Sequence, residues 1–166
     1  SVQEHPDARP LTIPVVYFTR KVWVEDIEQL FASGTMEPAY DFIPCKECDG
    51  SGQVEWQYKT HFEDFDCPTC RGYGGRRIDR KYNLPSPERI FKIGNTGIKG
   101  VTLAEICRIA KELGCKYLQV EPDFIWEGSN NKSKVIAFEF AEIRLFVCEY
   151  RINEYDTAEI IPERHE

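Results

Sequence analysis

The sequence lacks several features that mark common classes of protein. It has no stretch of about 18 apolar residues, so we expect no transmembrane helix. Its first ten residues are polar and do not contain the apolar core of a secretory signal. An excess of positive charge is also missing, because 28 acidic residues outnumber 21 basic ones and the formal net charge is −7. Such a chain is not built to coat nucleic acid or anionic lipid with its whole surface.

Catalytic groupings and a complete set of disulfides are missing as well. No Ser/His/Asp or Cys/His motif is apparent, so we predict a protein that acts by binding and not as an enzyme. The number of cysteines is odd, seven in all, which argues against a fully paired disulfide framework. Four of them form two Cys-x-x-Cys pairs, a pattern typical of a metal site in a reducing compartment. We therefore expect a cytoplasmic protein.

Enough apolar material is present for a folded domain. Apolar residues make up 42% of the 166 residues and aromatic residues 13%, which excludes wholesale disorder. Segments with strand-like and helix-like patterns occur on both sides of the cysteine pairs. They predict an α+β protein, a small mixed domain of helices and antiparallel sheet, with the cysteine-bearing module inserted in it or flanking it.

The first half of the chain is expected to form two parts. Residues 1–44 predict a strand over 11–24, a helix over 25–33 and then a turn-rich approach to the first cysteine. Residues 45–82 predict the separate cysteine-rich module. A linker with two prolines is expected to follow over 83–87.

The second half, residues 88–153, has the clearest signals of regular structure. A strand is expected at 89–93. Thr102 to Glu105 spell a capping box, and apolar residues at helical spacing continue to Gly114, a natural helix stop. Three strands are expected after this helix, at 117–120, 135–140 and 143–152, with a turn over 128–131. The acidic tail over 154–166 is expected to fray.

Two Cys-x-x-Cys pairs define the central module. Cys45 and Cys48 form the first pair, Cys67 and Cys70 form the second, and 18 residues separate the pairs. A structural zinc site takes four thiolate ligands in a tetrahedron, and each pair supplies two of them from one tight turn. The separation of the pairs is typical of such sites. We predict one Zn²⁺ per chain, bound by these four cysteines.

Each cysteine pair continues with two glycines. The two copies read Cys45-Lys-Glu-Cys48-Asp-Gly50-Ser-Gly52 and Cys67-Pro-Thr-Cys70-Arg-Gly72-Tyr-Gly74. The module therefore resembles the cysteine-rich zinc-binding domain of Hsp40 (DnaJ-type) chaperones, whose repeat is Cys-x-x-Cys-x-Gly-x-Gly. That domain carries four repeats and two zinc ions in an extended, hairpin-like arm, and it helps to hold non-native polypeptide. With two repeats, the resemblance implies a hairpin arm with one zinc and a chaperone- or adaptor-like function in protein binding.

A second sign of the same chaperones is not supported by its surroundings. His5, Pro6 and Asp7 spell the tripeptide that J-domains use. A J-domain needs a helix on each side of that tripeptide, and the flanking residues do not predict one. We expect no J-domain in this sequence.

Apolar residues alternate with polar ones between the two cysteine pairs. Val54, Trp56, Tyr58 and Phe62 follow this period of two, which predicts a strand with one apolar face. The module has little core in which to bury that face. We predict that the face contacts a protein or peptide partner, or a second copy of the chain. Packing of the face against the rest of the chain is an open alternative.

A basic strip follows the second cysteine pair and suggests another function. Its members lie within eleven residues: Arg71, Arg76, Arg77, Arg80 and Lys81. With neighbouring tyrosines, such a strip can associate with nucleic acid. Seven acidic residues balance seven basic ones over 45–81, which favours arginines that offset the charge of the thiolates. Thiol–disulfide exchange at a Cys-x-x-Cys pair is a third function that the motif allows.

Overall fold

The computed structural model describes residues 13–127 and 131–164. The chain divides into two compact units. The main unit contains the residues up to Thr35 together with those from Pro85 onward, and the insert contains Met36–Leu84. Helices occur with mostly antiparallel sheets in the described residues, which confirms the predicted α+β class.

The described residues form eleven strands and two helices. In chain order they are β1 (Arg20–Trp23), α1 (Val24–Ala32), β2 (Met36–Pro44), β3 (Gln53–Tyr58), β4 (His61–Asp66), β5 (Gly75–Pro85), β6 (Ile90–Ile93), β7 (Thr96–Lys99), α2 (Gly100–Glu112), β8 (Tyr117–Glu127), β9 (Lys132–Phe140), β10 (Ile143–Cys148) and β11 (Ala158–Ile160).

The larger sheet of the main unit joins the chain on both sides of the insert. Its strand order is β1-β8-β9-β10, and all neighbours are antiparallel. Val22 lies opposite Leu118, and Val120 lies opposite Phe138, so these four side chains share one face. All four are fully buried. The segments before and after the insert therefore build one hydrophobic core.

Two amphipathic helices complete this core. Helix α1 buries Val24, Ile27 and Phe31, and the Phe31 ring meets Phe91 edge to face at 5.2 Å. Helix α2 buries the apolar stripe that its spacing predicts: Leu103, Ile106, Cys107 and Ala110. Neither helix in the described part of the chain is long and apolar enough to cross a membrane.

The capping box predicted at the start of α2 does not form. The helix begins at Gly100, and its N-cap residue is Lys99, which makes no capping hydrogen bond through its side chain. The backbone amide of Gly100 instead donates to the carbonyl of Arg89 at 2.9 Å. This long-range bond starts the helix two residues before Thr102, so the hydroxyl of Thr102 lies inside the first turn.

The acidic tail forms a strand, so the prediction that it frays was wrong for residues 158–161. Strand β11 pairs in parallel with β6 in a sheet of order β11-β6-β7. Ile161 is buried, and its amide donates to the carbonyl of Lys92 at 3.0 Å. Glu159 accepts two hydrogen bonds from Arg89, at 2.9 and 2.8 Å. The buried side chain of Ile161 and the ion pair of Glu159 therefore hold in place a segment whose acidic composition had predicted a tail exposed to solvent.

The strand predicted over 11–24 was too long. Within the described residues the strand begins at Arg20 and ends at Trp23, and residues 13–19 form no regular element. In that preceding segment Ile13 and Val15 are exposed, so these two β-branched residues do not face a core. The tripeptide at His5 and most of the turn predicted at 128–131 lie outside the described residues.

The insert consists of two two-stranded elements, the ribbon β2–β5 and the hairpin β3–β4. The ribbon corrects two predictions, because residues 36–44 form a strand and not a series of turns, and β5 runs through Pro85 into the expected linker. Both strands are largely exposed, so neither needs apolar residues at every second position. Their sequences therefore lack the alternation from which a strand is predicted. Prolines fit here because each strand has a free edge.

Candidate metal centre

The cysteine pairs lie where the ribbon meets the hairpin. The first pair follows β2, and the second pair follows β4 and precedes β5. Backbone hydrogen bonds join the two repeats: the amide of Cys45 donates to the carbonyl of Gly74, and the amide of Cys67 donates to the carbonyl of Gly52, both at 2.8 Å. This exchange brings the four cysteines together although 18 residues separate the pairs in the sequence.

The four sulfur atoms form a compact cluster that could hold a metal ion. All of them lie within 4.8 Å of one another. The Sγ atoms of Cys45 and Cys67 are 4.0 Å apart, and those of Cys48 and Cys70 are 3.7 Å apart. Tetrahedral zinc with Zn–S bonds of about 2.3 Å separates its sulfurs by about 3.8 Å. The donor set and its spacing therefore fit Zn²⁺, the metal predicted from the sequence.

Backbone amides stabilise negative charge on the sulfurs. Gly52 N–H donates to the Sγ of Cys48 at 3.3 Å, and Gly74 N–H donates to the Sγ of Cys70 at 3.2 Å. The two repeats thus use the last glycine of the motif in the same way. Hydrogen bonds of this kind reduce the excess charge of a tetrathiolate site and orient its ligands.

The thiol pKa values of Cys48 and Cys70 move in opposite directions. Burial raises the pKa of Cys48, but the amide of Gly52 and the thiol of Cys70 outweigh it and lower that pKa to about 7. Burial raises the pKa of Cys70 to about 11, the amide of Gly74 opposes this increase, and the hydrogen bond to Cys48 adds to it. Metal binding to thiols displaces their protons, so the zinc affinity of such a cluster depends on pH.

Close contact between the repeats explains why the motif needs its last glycine. Gly52 and Gly74 have φ values of 78° and 76°. A Cβ atom on Gly52 would lie 2.5 Å from the carbonyl oxygen of Gly72, and one on Gly74 would lie 2.6 Å from that of Gly50. No side chain fits there without moving the backbone. The backbone of each repeat therefore leaves no room for a side chain at the last glycine of the other repeat.

We expect Gly52→Ala to weaken zinc retention and to destabilise the insert more than Gly50→Ala does. Gly50 also has a positive φ, 86°, but its Cβ would come no closer than 3.4 Å to the Pro44 side chain and 3.9 Å to the carbonyl oxygen of Gly74, which are ordinary contact distances. Gly50→Ala should therefore cost only the left-handed backbone strain, about 1–2 kcal/mol. Gly52→Ala adds a clash with backbone. Zinc loss to a competing chelator measures the difference, and equal losses from the two variants would contradict it.

The aromatic face of the hairpin differs from the predicted one in one residue. Strand β3 ends at Tyr58, and the two-residue turn Lys59–Thr60 leads into β4. Residues that pair directly across antiparallel strands lie on the same face of the hairpin. Val54 pairs with Phe65, and Trp56 pairs with Glu63, so Phe65 and Glu63 lie on the aromatic face. Phe62 pairs with Gln57, which lies on the other face. A two-residue turn pairs even-numbered positions with odd-numbered ones. Phe65 therefore joins Val54, Trp56 and Tyr58, and Phe62 does not.

Most of this aromatic face is open to solvent. Trp56 is 56% exposed, Tyr58 57% and Phe65 46%, while Val54 packs against the cysteine cluster. The rings of Trp56 and Tyr58 are stacked, with an interplanar angle of 8° and a centroid distance of 5.9 Å. Trp56 and Tyr58 therefore do not belong to a core within the insert.

The predicted basic strip does not form one surface. Arg76 and Arg80 lie on one face of β5, whereas Arg77 and Lys81 lie on the other, because side chains alternate along a strand; Arg71 lies before the strand. Two of the arginines have acidic partners. The Arg80 guanidinium donates to both oxygens of Asp41, at 2.9 and 2.5 Å, and this contact lowers the pKa of Asp41.

Arg77 is engaged in a similar way. Its Nε donates to Asp79 at 2.6 Å, and its guanidinium lies 4.4 Å from the centre of the Tyr40 ring. The sequence indicated the basic residues but not Tyr40 and Asp41, because those two lie in the strand that was taken for turns. The pairing of β2 with β5 brings them together.

The other cysteines do not join the cluster. Cys107 is buried in α2, where burial raises the pKa of its thiol to about 12, and Cys148 is exposed at the end of β10. In the described residues, the four clustered cysteines are the one group of three or more metal-ligating side chains that come together. Comparisons of the chain with protein families, with curated proteins and with solved structures found no match.

Proposed function

We propose that this chain is a zinc-dependent protein-interaction protein, chaperone- or adaptor-like, whose insert holds a polypeptide partner. The observation that carries the proposal is the exposed aromatic face of the hairpin β3–β4, described above. Large aromatic side chains that stay in water are typical of contact sites, because their burial against a partner is favourable.

Zinc has a defined part in this proposal. The hairpin begins directly after Gly52 and ends directly before Cys67, so the cysteine cluster holds both of its ends. A two-stranded hairpin is marginally stable by itself, and metal binding at its base contributes the missing free energy. The metal would therefore position the aromatic face and would take no part in chemistry.

The repeats support the same reading. Both Cys-x-x-Cys-x-Gly-x-Gly copies are complete, and the resemblance to the Hsp40 zinc domain implies binding of non-native polypeptide. A reduced tetrathiolate site also agrees with a reducing compartment such as the cytoplasm. None of the seven cysteines is joined to another in a disulfide, which such a compartment favours.

The alternatives have weaker support. Nucleic-acid association needs accessible cations on one surface, but the strip is split between two faces and Arg77 and Arg80 are paired with Asp79 and Asp41. Thiol–disulfide exchange needs a reactive pair, but the close sulfur contacts join Cys45 to Cys67 and Cys48 to Cys70, across the two Cys-x-x-Cys pairs. Turnover of insulin disulfides by the zinc-loaded chain would favour the redox function.

An array of short peptides of diverse composition tests the proposed function. We expect the zinc-loaded chain to bind a subset of the peptides, and we expect that binding to disappear when a chelator removes the metal. Substitution of Arg76 and Arg77 should leave the binding intact. If no peptide binds, or if a single-stranded oligonucleotide binds through those arginines, the proposal is wrong.

We expect Trp56→Ala to separate binding from stability. The ring is more than half exposed, so its removal should change the free energy of unfolding by no more than about 0.5 kcal/mol and leave the zinc content unchanged. Peptide binding should fall. A loss of about 3–5 kcal/mol in stability is the value for a buried tryptophan, and such a loss in urea denaturation would show that the ring belongs to a core.

A further inference from the structure

The charges on the hairpin restrict the kind of partner that its aromatic face can take. Glu55, Glu63, Asp64 and Asp66 lie on the two strands, and Lys59 in the turn is the only lysine or arginine between them. This gives the hairpin a net charge of −3. Within the described residues, none of the four carboxylates forms an ion pair, although many other carboxylates of the chain do. The hairpin thus presents unneutralised negative charge around an apolar surface.

One carboxylate lies on the aromatic face itself. Glu63 is the cross-strand neighbour of Trp56, so its side chain projects from the same face as the two stacked rings. The other three carboxylates lie on the reverse face of the hairpin. The hairpin is only one layer thick, so the electrostatic field of these carboxylates still reaches a charge that approaches the aromatic face. A cation that stacks on Trp56 would therefore find a carboxylate beside it.

The structure already shows a cation on this aromatic pair. The Nζ atom of Lys59 lies 5.5 Å from the centre of the Tyr58 ring. A cation over an aromatic face is attracted by the electrons of the ring, and the planar guanidinium of arginine can stack on the ring as well. Trp56, which carries no such cation from the described part of the chain and is 56% exposed, offers the same kind of contact to a partner.

We propose that the aromatic face of the hairpin binds a basic polypeptide segment, with an arginine side chain stacked on Trp56 and paired with Glu63. This proposal rests on the proposed function and specifies its partner. Single-stranded nucleic acid also stacks on tryptophan and tyrosine, but its phosphates would face four carboxylates. A second hairpin of the same chain would bring the same negative charge, which opposes association through two copies of this face.

Matched peptides test the charge of the partner. The zinc-loaded full chain is titrated with a fluorescent peptide of alternating arginine and serine, and with peptides of equal length in which glutamine or glutamate replaces each arginine. We expect the arginine peptide to bind tightest, with an affinity that falls as salt rises. The glutamate peptide and an oligothymidine of similar length should not bind at this face.

Matched variants locate the site. Trp56→Ala should weaken binding of the arginine peptide about tenfold, and Trp56→Phe, which keeps an aromatic face, should restore most of it. Glu63→Gln should weaken binding roughly twofold to fivefold. The control is Phe62→Ala, whose side chain lies on the reverse face and is 61% exposed. This variant should bind the arginine peptide as the natural chain does, whereas Asp64→Asn, which removes a charge from the reverse face, should weaken binding less than Glu63→Gln does. Zinc content shows that each variant keeps its folded insert.

Several outcomes would overturn this proposal. If the glutamine peptide binds as well as the arginine peptide and Trp56→Ala weakens both, the interaction function stands but the basic partner does not. If Phe62→Ala weakens binding as much as Trp56→Ala, the site is misplaced. If sedimentation shows self-association that Trp56→Ala abolishes, the occupant is a second copy. If none of the peptides binds and the diverse array is also silent, the proposed function fails together with the inference.

Discussion

Substitution of Cys45 by serine is expected to abolish zinc binding and unfold the insert while the main unit stays folded. The insert has few buried side chains besides its cysteines, so the metal must supply the stability that a core would otherwise provide. Structural zinc contributes about 10–16 kcal/mol of apparent binding free energy in zinc-finger peptides, where it is also the free energy of folding. A chelator should have the same effect on the natural chain.

Elemental analysis and hydrogen exchange measure these effects. The natural chain should carry one zinc, and Cys45→Ser should carry none and should lose amide protection over residues 36–84 but not in the main unit. Cys148→Ser is the matched control, because Cys148 is an exposed free thiol outside the cluster. Zero or two zinc ions in the natural chain, or an insert that keeps its protection without metal, would contradict the prediction.

Arg89→Ala is expected to destabilise the main unit by about 1.5–3 kcal/mol, because it removes a largely buried guanidinium that donates to the half-exposed Glu159 and to two backbone carbonyls. The Arg89 side chain is 11% exposed and donates to both oxygens of Glu159. It also donates to the carbonyls of Leu30 and Phe31, at 2.8 and 2.9 Å, which lie at the C-terminal end of α1. The substitution removes the partner of all four acceptors at once.

A control variant shows whether the loss of stability is specific to Arg89 or follows from the removal of any arginine ion pair. Arg108→Ala is the control, because Arg108 makes its ion pairs with Glu105 and Glu112 on the exposed surface of α2, where such pairs contribute about 0.3–0.5 kcal/mol. Arg89→Lys should recover only part of the loss, because an ammonium cannot donate along both edges of a carboxylate. Urea denaturation compares the three variants, and similar midpoints for Arg89→Ala and Arg108→Ala would refute the prediction.

The local patterns that predicted correctly are those in which neighbours along the chain decide the outcome. The apolar stripe from Leu103 to Ala110 predicts α2, because helical spacing alone puts these residues on one face. Helix α2 ends at Glu112, and Gly114 follows its C-cap residue with a φ of 75°, the left-handed conformation that its position predicted. The cysteine motif belongs to the same kind, since a Cys-x-x-Cys turn presents two sulfurs through local geometry.

The hairpin shows where local patterns fail. The period-two alternation over 54–62 placed Phe62 on the same face as Trp56. Alternation predicts which residues share a face only within one continuous strand. The turn at Lys59 and Thr60 reverses the chain, and the register then decides which residues of β4 share the face. Composition contained no strong turn signal at this point, so Phe65 could not be identified as a member of the face.

The sequence by itself determined the α+β class, helix α2 and the four cysteines that could hold a metal ion, because these depend on composition and on spacing over a few residues. Only the tertiary structure decided how the two repeats cross, which aromatic residues form the exposed face, and where the acidic tail lies. Each of these depends on a hydrogen bond or ion pair between distant residues, such as Cys45 with Gly74 and Arg89 with Glu159. Such pairs carry no periodic signal, since their partners are chosen by the folded chain and not by neighbours in the sequence.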